Sequence, residues 1–364
     1  MTTRLPLYLK LSTIVVGLFV FFYILALGQE ILVPLTFSWI LAILLNPVVN
    51  FLTRKRIPRV IAISIAVVLL VIVIGAVLFF IGSQISMFSD SLPQLKARIN
   101  EFMEKGFLWV SDTFNISESK INAWIAEQKD AGIHNAGGMI GNTVTSVSGS
   151  LLAVLLVPVY IFLFLYYKPL FLEFVARLFL SHQHTVVADV LVQTRTLIQS
   201  YLVGLLIETA IVAVANSAAL FLIGIRYAIL LGVIGAILNL IPYIGGIVAI
   251  ALPMIIGFID GNLTGVVLVL VSYIVIQIID NNFLVPLVVA SKVKVNAMVS
   301  IVVVLIGGAI WGMAGMFLSI PLTAIAKVIF DRVESLKPYG LIIGDTMPEL
   351  DKSVFDFSLK KKHV

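Results

Sequence analysis

The sequence predicts an all-α polytopic membrane protein. It has about six full spans plus two broken helical hairpins that either re-enter or cross fully, and a small helical extramembrane insertion. Three observations lead there. Hydrophobic residues make up 60% of the chain and charged residues only 12%, roughly half the charged share of a soluble globular domain. The mean hydropathy is +1.13, so lipid must solvate surface that one water-soluble core cannot hide. The apolar residues also fall into stretches of the ~20 residues that a bilayer requires, with Lys and Arg at their ends.

The same composition excludes several functions. The net charge of +5 sits at helix ends, where it sets orientation, and implies no nucleic-acid partner. There is no cysteine, hence no disulfide, thiolate metal site or cysteine nucleophile. No HExxH, GxSxG or GxxxxGK[ST] pattern occurs, so an enzyme is not expected, nor ATP hydrolysis, a metal or a cofactor. Arg4 and Lys10 before the apolar run to Ala26-Leu27-Gly28 also fit a cleaved signal peptide. The run is long for that role, and a second apolar stretch follows almost at once.

Taken in order, residues 1–82 supply three spans. Leu11 to Gln29 and Ile31 to Thr53 form a pair around Gly28-Gln29-Glu30. The basic cluster Arg54-Lys55-Arg56-Ile57-Pro58-Arg59 then marks a cytoplasmic end, and Val60 to Gly82 runs outward. Residues 83–148 differ in composition. Leu92, Leu95, Ile99 and Phe102, then Ile121, Trp124 and Ile125, recur at helical spacing among charged residues, as in an extracytoplasmic helical insertion. Residues 149–225 hold the fourth span, Ser150 to Tyr167 with Pro158, a cytoplasmic linker from Lys168 to Arg195, and the fifth span, Thr196 to Ile225. Residues 226–332 are the expected transport core, and 333–364 a basic cytoplasmic tail that places both termini inside.

Within the core, Tyr227 to Ile259 is uncharged for 33 residues. A straight helix of that length would measure about 50 Å against a hydrocarbon core of roughly 30 Å. Pro242 with Gly245 and Gly246 is where it must break. Leu263 to about Leu284 runs inward and ends near Pro286. Val295 to Ala326 is again too long, with a break at the cluster containing Gly307, Gly308, Gly312 and Gly315. Gly308 and Gly312 read as a GxxxG packing pair, and Pro321 as a kink. Paired interrupted segments are the best sequence pointer to a transporter site. The two hairpins enter from opposite faces and would flank the polar helix between them.

The candidate binding residues follow from cost. A charged group at bilayer depth costs roughly 2.5 to 3.5 kcal/mol by insertion scales. Glu208 lies about 20 Å along a helix from Arg195, as a coupling or binding group or else as a structural hydrogen-bond partner. Gln277, Asp280, Asn281 and Asn282 bring several oxygens and amide donors close together. That suits a cation or a small polyhydroxy solute; the alternative is an interfacial helix cap at Asp280. Asn239 and Tyr243 flank the first break, where irregular backbone must line a cavity or be buried in protein. His182 and His184 sit in a polar turn and make a weak metal site.

These residues resemble the AI-2E family, bacterial permeases named for autoinducer-2 export. The resemblance covers nearly the whole chain. It is carried by Leu238-Asn239-Leu240-Ile241-Pro242-Tyr243-Ile244-Gly245-Gly246, by Asp280-Asn281-Asn282 to Pro286, and by Gly307-Gly308 through Gly312, Gly315 and Ser319-Ile320-Pro321-Leu322. It implies a multi-pass carrier of the bacterial inner membrane, assembled as a homo-oligomer such as a pentamer. A small polar solute and H+ or Na+ would be its partners. Gly246 and Ala297 stand where the family often has proline. The function expected is ion-driven export of a small polar organic solute. A cation/proton antiporter, and a non-transporting membrane scaffold, are the alternatives.

Overall fold

The computed structural model describes residues 6–89, 97, 101, 151–240, 244–290 and 295–345. Most of the 83–148 insertion, the 346–364 tail, Pro242 and Tyr243 lie outside the described residues. The helices are α1 (Leu7–Leu27), α2 (Gln29–Arg54), α3 (Arg59–Ser89), α4 (Leu151–Tyr166), α5 (Lys168–Leu178), α6 (His184–Ile223), α7 (Ala228–Asn239), α8 (Ile244–Ile259), α9 (Leu263–Ile279), α10 (Ala297–Arg332) and α11 (Lys337–Ile343). A π-helix, Asp280–Ala290, continues α9 directly. Six segments are long and apolar enough to cross a membrane: α1, α2, α3, α6, α9 with the π-helix, and α10. The pair α4–α5 bends by 61° and makes a seventh if taken as one span. This is the all-α polytopic architecture that composition demands.

Three apolar cores hold the helices together. The first joins α2, α3 and α4 through Ala42, Leu45, Val49, Ala62, Ile63, Ala66, Ile161 and Leu165. Ser38 supports it by donating to Pro34 O at 2.6 Å and Val157 O at 3.1 Å, tying α2 to α4. The second joins α6 to α7, α8 and α9 through Leu220, Ala228, Leu231, Ala249, Ile256, Val269 and Tyr273. The third joins α6 to α2 and the second half of α10 through Ile40, Ile198, Tyr201, Leu202 and Leu318. Helix α6 thus enters two of the three cores and serves as the spine. At 40 residues it is about 60 Å long, so its first turns project beyond any bilayer.

Both hairpins are present, each built differently. The first is α7 and α8, packed side by side; at 12 and 16 residues they measure about 18 and 24 Å. Neither alone matches a ~30 Å core. The second lies inside α10, where Trp311 (φ −128°) and Gly312 (φ 59°, ψ −141°) leave helical geometry. Only glycine adopts that Gly312 conformation without strain. The two legs then meet backbone to backbone, because a Cβ on Gly315 would overlap Gly307 O and one on Gly307 would overlap Ser319 Oγ.

The sequence expectation is corrected in this region. Gly308 and Gly312 are not the packing pair; Gly312 is the turn itself, and the close approach is Gly307 to Gly315. Pro321 is buried inside α10, and the departures from helical dihedrals in that helix are at 311 and 312. Pro286 does not end its helix: the backbone widens into a π-helix, whose altered hydrogen-bond ladder accommodates a residue without an N–H. The second hairpin packs mainly on α6 and α2, and Val285, in the π-helix that continues α9, packs on the same core. The segment 168–195, expected as a linker, is formed largely by α5 and the start of α6.

Candidate functional site

The site forms where three elements meet: the tip of the first hairpin, the junction of α9 with the π-helix, and one face of α6. Residues 208, 212 and 216 are spaced i, i+4, i+8, so Glu208, Val212 and Asn216 share that face. All three are buried. Asp280 is the first residue of the π-helix and is 1% exposed. The change of helical pitch there is typical of functional sites.

Asp280 is held by amides. Asn239, the last residue of α7, donates Nδ2 to Asp280 Oδ2 at 3.0 Å, and Gln277 donates Nε2 to the same oxygen at 3.4 Å. The other oxygen, Oδ1, is buried without a partner. So are Asn216 Oδ1, Tyr273 OH and Glu208 Oε2. Asp280, Asn216 and Tyr273 line one small void, together with Gly235, Asn239, Gly246 and Gln277. Its volume is about 10 Å³, at the edge of the ~10–15 Å³ that one water needs. Gly235 makes this close approach possible: a Cβ there would lie 3.1 Å from Tyr273 OH and 3.6 Å from Asn216 Nδ2.

A carboxylate oxygen, an amide oxygen and a phenol oxygen around a water-sized space form a hard-oxygen set. Such oxygens suit a small cation or a water. Glu208, one helical turn from Val212, is near enough to interact electrostatically with Asp280. Two like charges so placed repel.

Of the expected residues, Asn239, Gly246, Gln277 and Asp280 line the void, and Glu208 is buried on the same face of α6 as Asn216 without lining it. Asn281 and Asn282 are exposed and serve local bonds instead. Asn281 Oδ1 accepts from Gln277 at 3.2 Å, and Asn282 Nδ2 donates to Ile278 O at 2.8 Å. Two members of the site, Asn216 and Tyr273, are not singled out by the sequence. The available signal for Asn216 is its place two turns from Glu208 on one apolar helix. His184 Nε2 lies 3.1 Å from Phe179 O, and among the described residues no group of three His, Asp or Glu is placed to hold a metal.

Comparison with known proteins agrees with this architecture. A family profile described as AI-2E family transporter matches residues 11–335. The AI-2 transport protein TqsA of Escherichia coli (strain K12) is 24% identical over 332 residues, covering 88% of this chain and 92% of that protein. "Putative transport protein YueF" of Bacillus subtilis (strain 168) is 24% identical over 312 residues, covering 83% and 84%. "Putative transport protein YhhT" of Escherichia coli (strain K12) is 24% identical over 355 residues, covering 95% and 96%. The profile spans nearly the whole chain, from the first span to the end of the second hairpin, and the chain belongs to the AI-2E transporter family.

Proposed function

We propose that this transporter exports a small polar organic solute, of the class of autoinducer-2, across the bacterial inner membrane, driven by an ion gradient. The observation that carries the reading is the partnerless Asp280 Oδ1 beside Asn216 and Tyr273 at the tip of a broken hairpin. A buried polar atom left without a partner costs about 1–3 kcal/mol, and at membrane depth such groups serve substrate or ion pathways. The void takes only a water or a bare cation, so the coupling ion binds there. The solute enters when the hairpin α7–α8 moves away from α9. The name of TqsA supports the solute class. Both termini face the cytoplasm in this reading, because Arg54 to Arg59 lies at one helix end, and the assembly is a homo-oligomer such as a pentamer.

The size of the void favours a second reading, a cation/proton antiporter using Asp280 and Glu208 with no organic solute. Purified protein in liposomes separates the two. Sodium-dependent collapse of an imposed pH gradient without solute supports antiport. Efflux of labelled autoinducer-2 that requires an ion gradient supports export. Neither activity in folded protein sinks both and leaves a membrane scaffold.

A further inference from the structure

A second cleft, of about 430 Å³, lies between α2, α4, α5 and the early turns of α6, and shares no residue with the Asp280 site. Its size falls in the ~300–1,000 Å³ range of small-molecule sites. The walls are apolar and aromatic, including Trp39, Ile43, Phe164, Phe171 and Leu172; the polar lining is Asn46, Lys168, Thr194 and Arg195, with no carboxylate. Lys168 Nζ donates to Asn46 Oδ1 at 3.0 Å. Asn46 is 6% exposed, and its Nδ2 has no partner.

The charge here is unbalanced. Arg195 and Lys168 form no ion pair among the described residues, and Arg59, just outside the cleft, gives its Nη2 to Leu165 O at 2.8 Å. The nearby acids are engaged elsewhere, Glu173 with Arg177 and Asp189 with Arg332. Lys168 opens α5, beyond the end of α4. Burial first, then repulsion from Arg195 and Arg59, holds its amine below the ordinary lysine range. Helix α5 itself turns away from α4 by 61° and exposes Leu170, Phe171, Phe174 and Leu178, as a helix lying in a membrane interface does.

We propose that this cleft binds an anionic phospholipid from the leaflet on the basic side, with its phosphate among Lys168, Arg195 and the Asn46 amide and its acyl chains along the apolar walls. Basic pockets between spans on that side take anionic headgroups. The apolar walls favour a lipid over a free anion. The absence of an acidic lining, with both nearby acids already paired, disfavours a second copy of the chain.

Trp39 supplies the probe. The full chain is reconstituted in phosphatidylcholine vesicles containing an equal fraction of dibrominated phosphatidylglycerol or dibrominated phosphatidylcholine. Fluorescence quenching lost in Trp39→Phe isolates the Trp39 signal. The expected result is a preference on the order of tenfold for the phosphatidylglycerol, abolished in Lys168→Gln/Arg195→Gln. Equal quenching by both lipids in the wild type overturns the proposal without any charge variant, as does a preference that survives the double substitution. Displacement of the lipid by inorganic phosphate assigns the site to a free anion. Absence of quenching by either lipid, with Leu172→Cys cross-linking between chains, assigns it to a second copy.

Discussion

Gly235→Ala separates an ion site from a packing defect, because it closes the void without touching a charge. The added methyl would sit 3.1 Å from Tyr273 OH, 3.4 Å from Ala249 Cβ and 3.6 Å from Asn216 Nδ2. It therefore occupies most of the ~10 Å³ space beside Asp280. Replacing a helical glycine by alanine gains about 1 kcal/mol in water. The tight contact with Tyr273 costs about 1 kcal/mol, at the low end of overpacking. The two nearly cancel, and thermal stability is expected to stay within about 1 kcal/mol of wild type. The ion has no such compensation. Losing one charge-assisted contact at about 1.5–3 kcal/mol corresponds to roughly 10- to 100-fold weaker binding. The assay is the sodium concentration needed for half-maximal transport in liposomes, measured beside the unfolding temperature. A variant that is stable and transports with unchanged sodium dependence would falsify the assignment of this void as the ion site.

Other expectations test neighbouring claims. Asp280→Asn keeps the shape and loses the charge, so transport should fall at least about tenfold while the amount of protein in the membrane falls less; equal losses would indicate a structural role. Asn296 caps α10 by accepting from Val299 N at 2.9 Å, and its Nδ2 ties the hairpin base to α11 through Ile342 O at 2.6 Å and Gly344 O at 3.0 Å. Asn296→Ala should cost about 1–2 kcal/mol, read as a lower unfolding temperature in detergent. The Asp189–Arg332 pair, 2.6 Å apart, joins the projecting start of α6 to the end of α10. The hydrogen bond from Arg332 holds the Asp189 carboxyl below its ordinary range. Its contribution is therefore complete above an unfolded value of about 3.9 and is lost as pH falls through the lower folded value. Asp189→Asn and wild type should differ slightly in unfolding temperature near neutral pH and converge in strong acid; a gap that grows on acidification contradicts the pairing.

The helical class and most of the apolar spans were legible in the sequence because lipid imposes simple rules. Apolar length sets spans, and basic clusters mark helix ends. An uncharged run too long for the bilayer has to fold back, as Tyr227 to Ile259 does through α7 and α8 and Val295 to Ala326 does within α10. The cost of burying a carboxylate in lipid singled out Asp280 and Glu208 before any contact was known. What periodicity could not reveal is which polar groups share a space. Asn281 and Asn282 have the same chemistry as Asn239, yet they face outward. Asn216 and Tyr273 lie on the same helices as Glu208 and Gln277 without a charge to mark them, and complete the void with Asp280. Composition along one helix says what a group costs, but the position of its neighbours depends on α6 packing at once against a hairpin, a widened helix and α2. That arrangement belongs to tertiary structure, because only long-range packing decides which buried atom finds a partner and which is left without one.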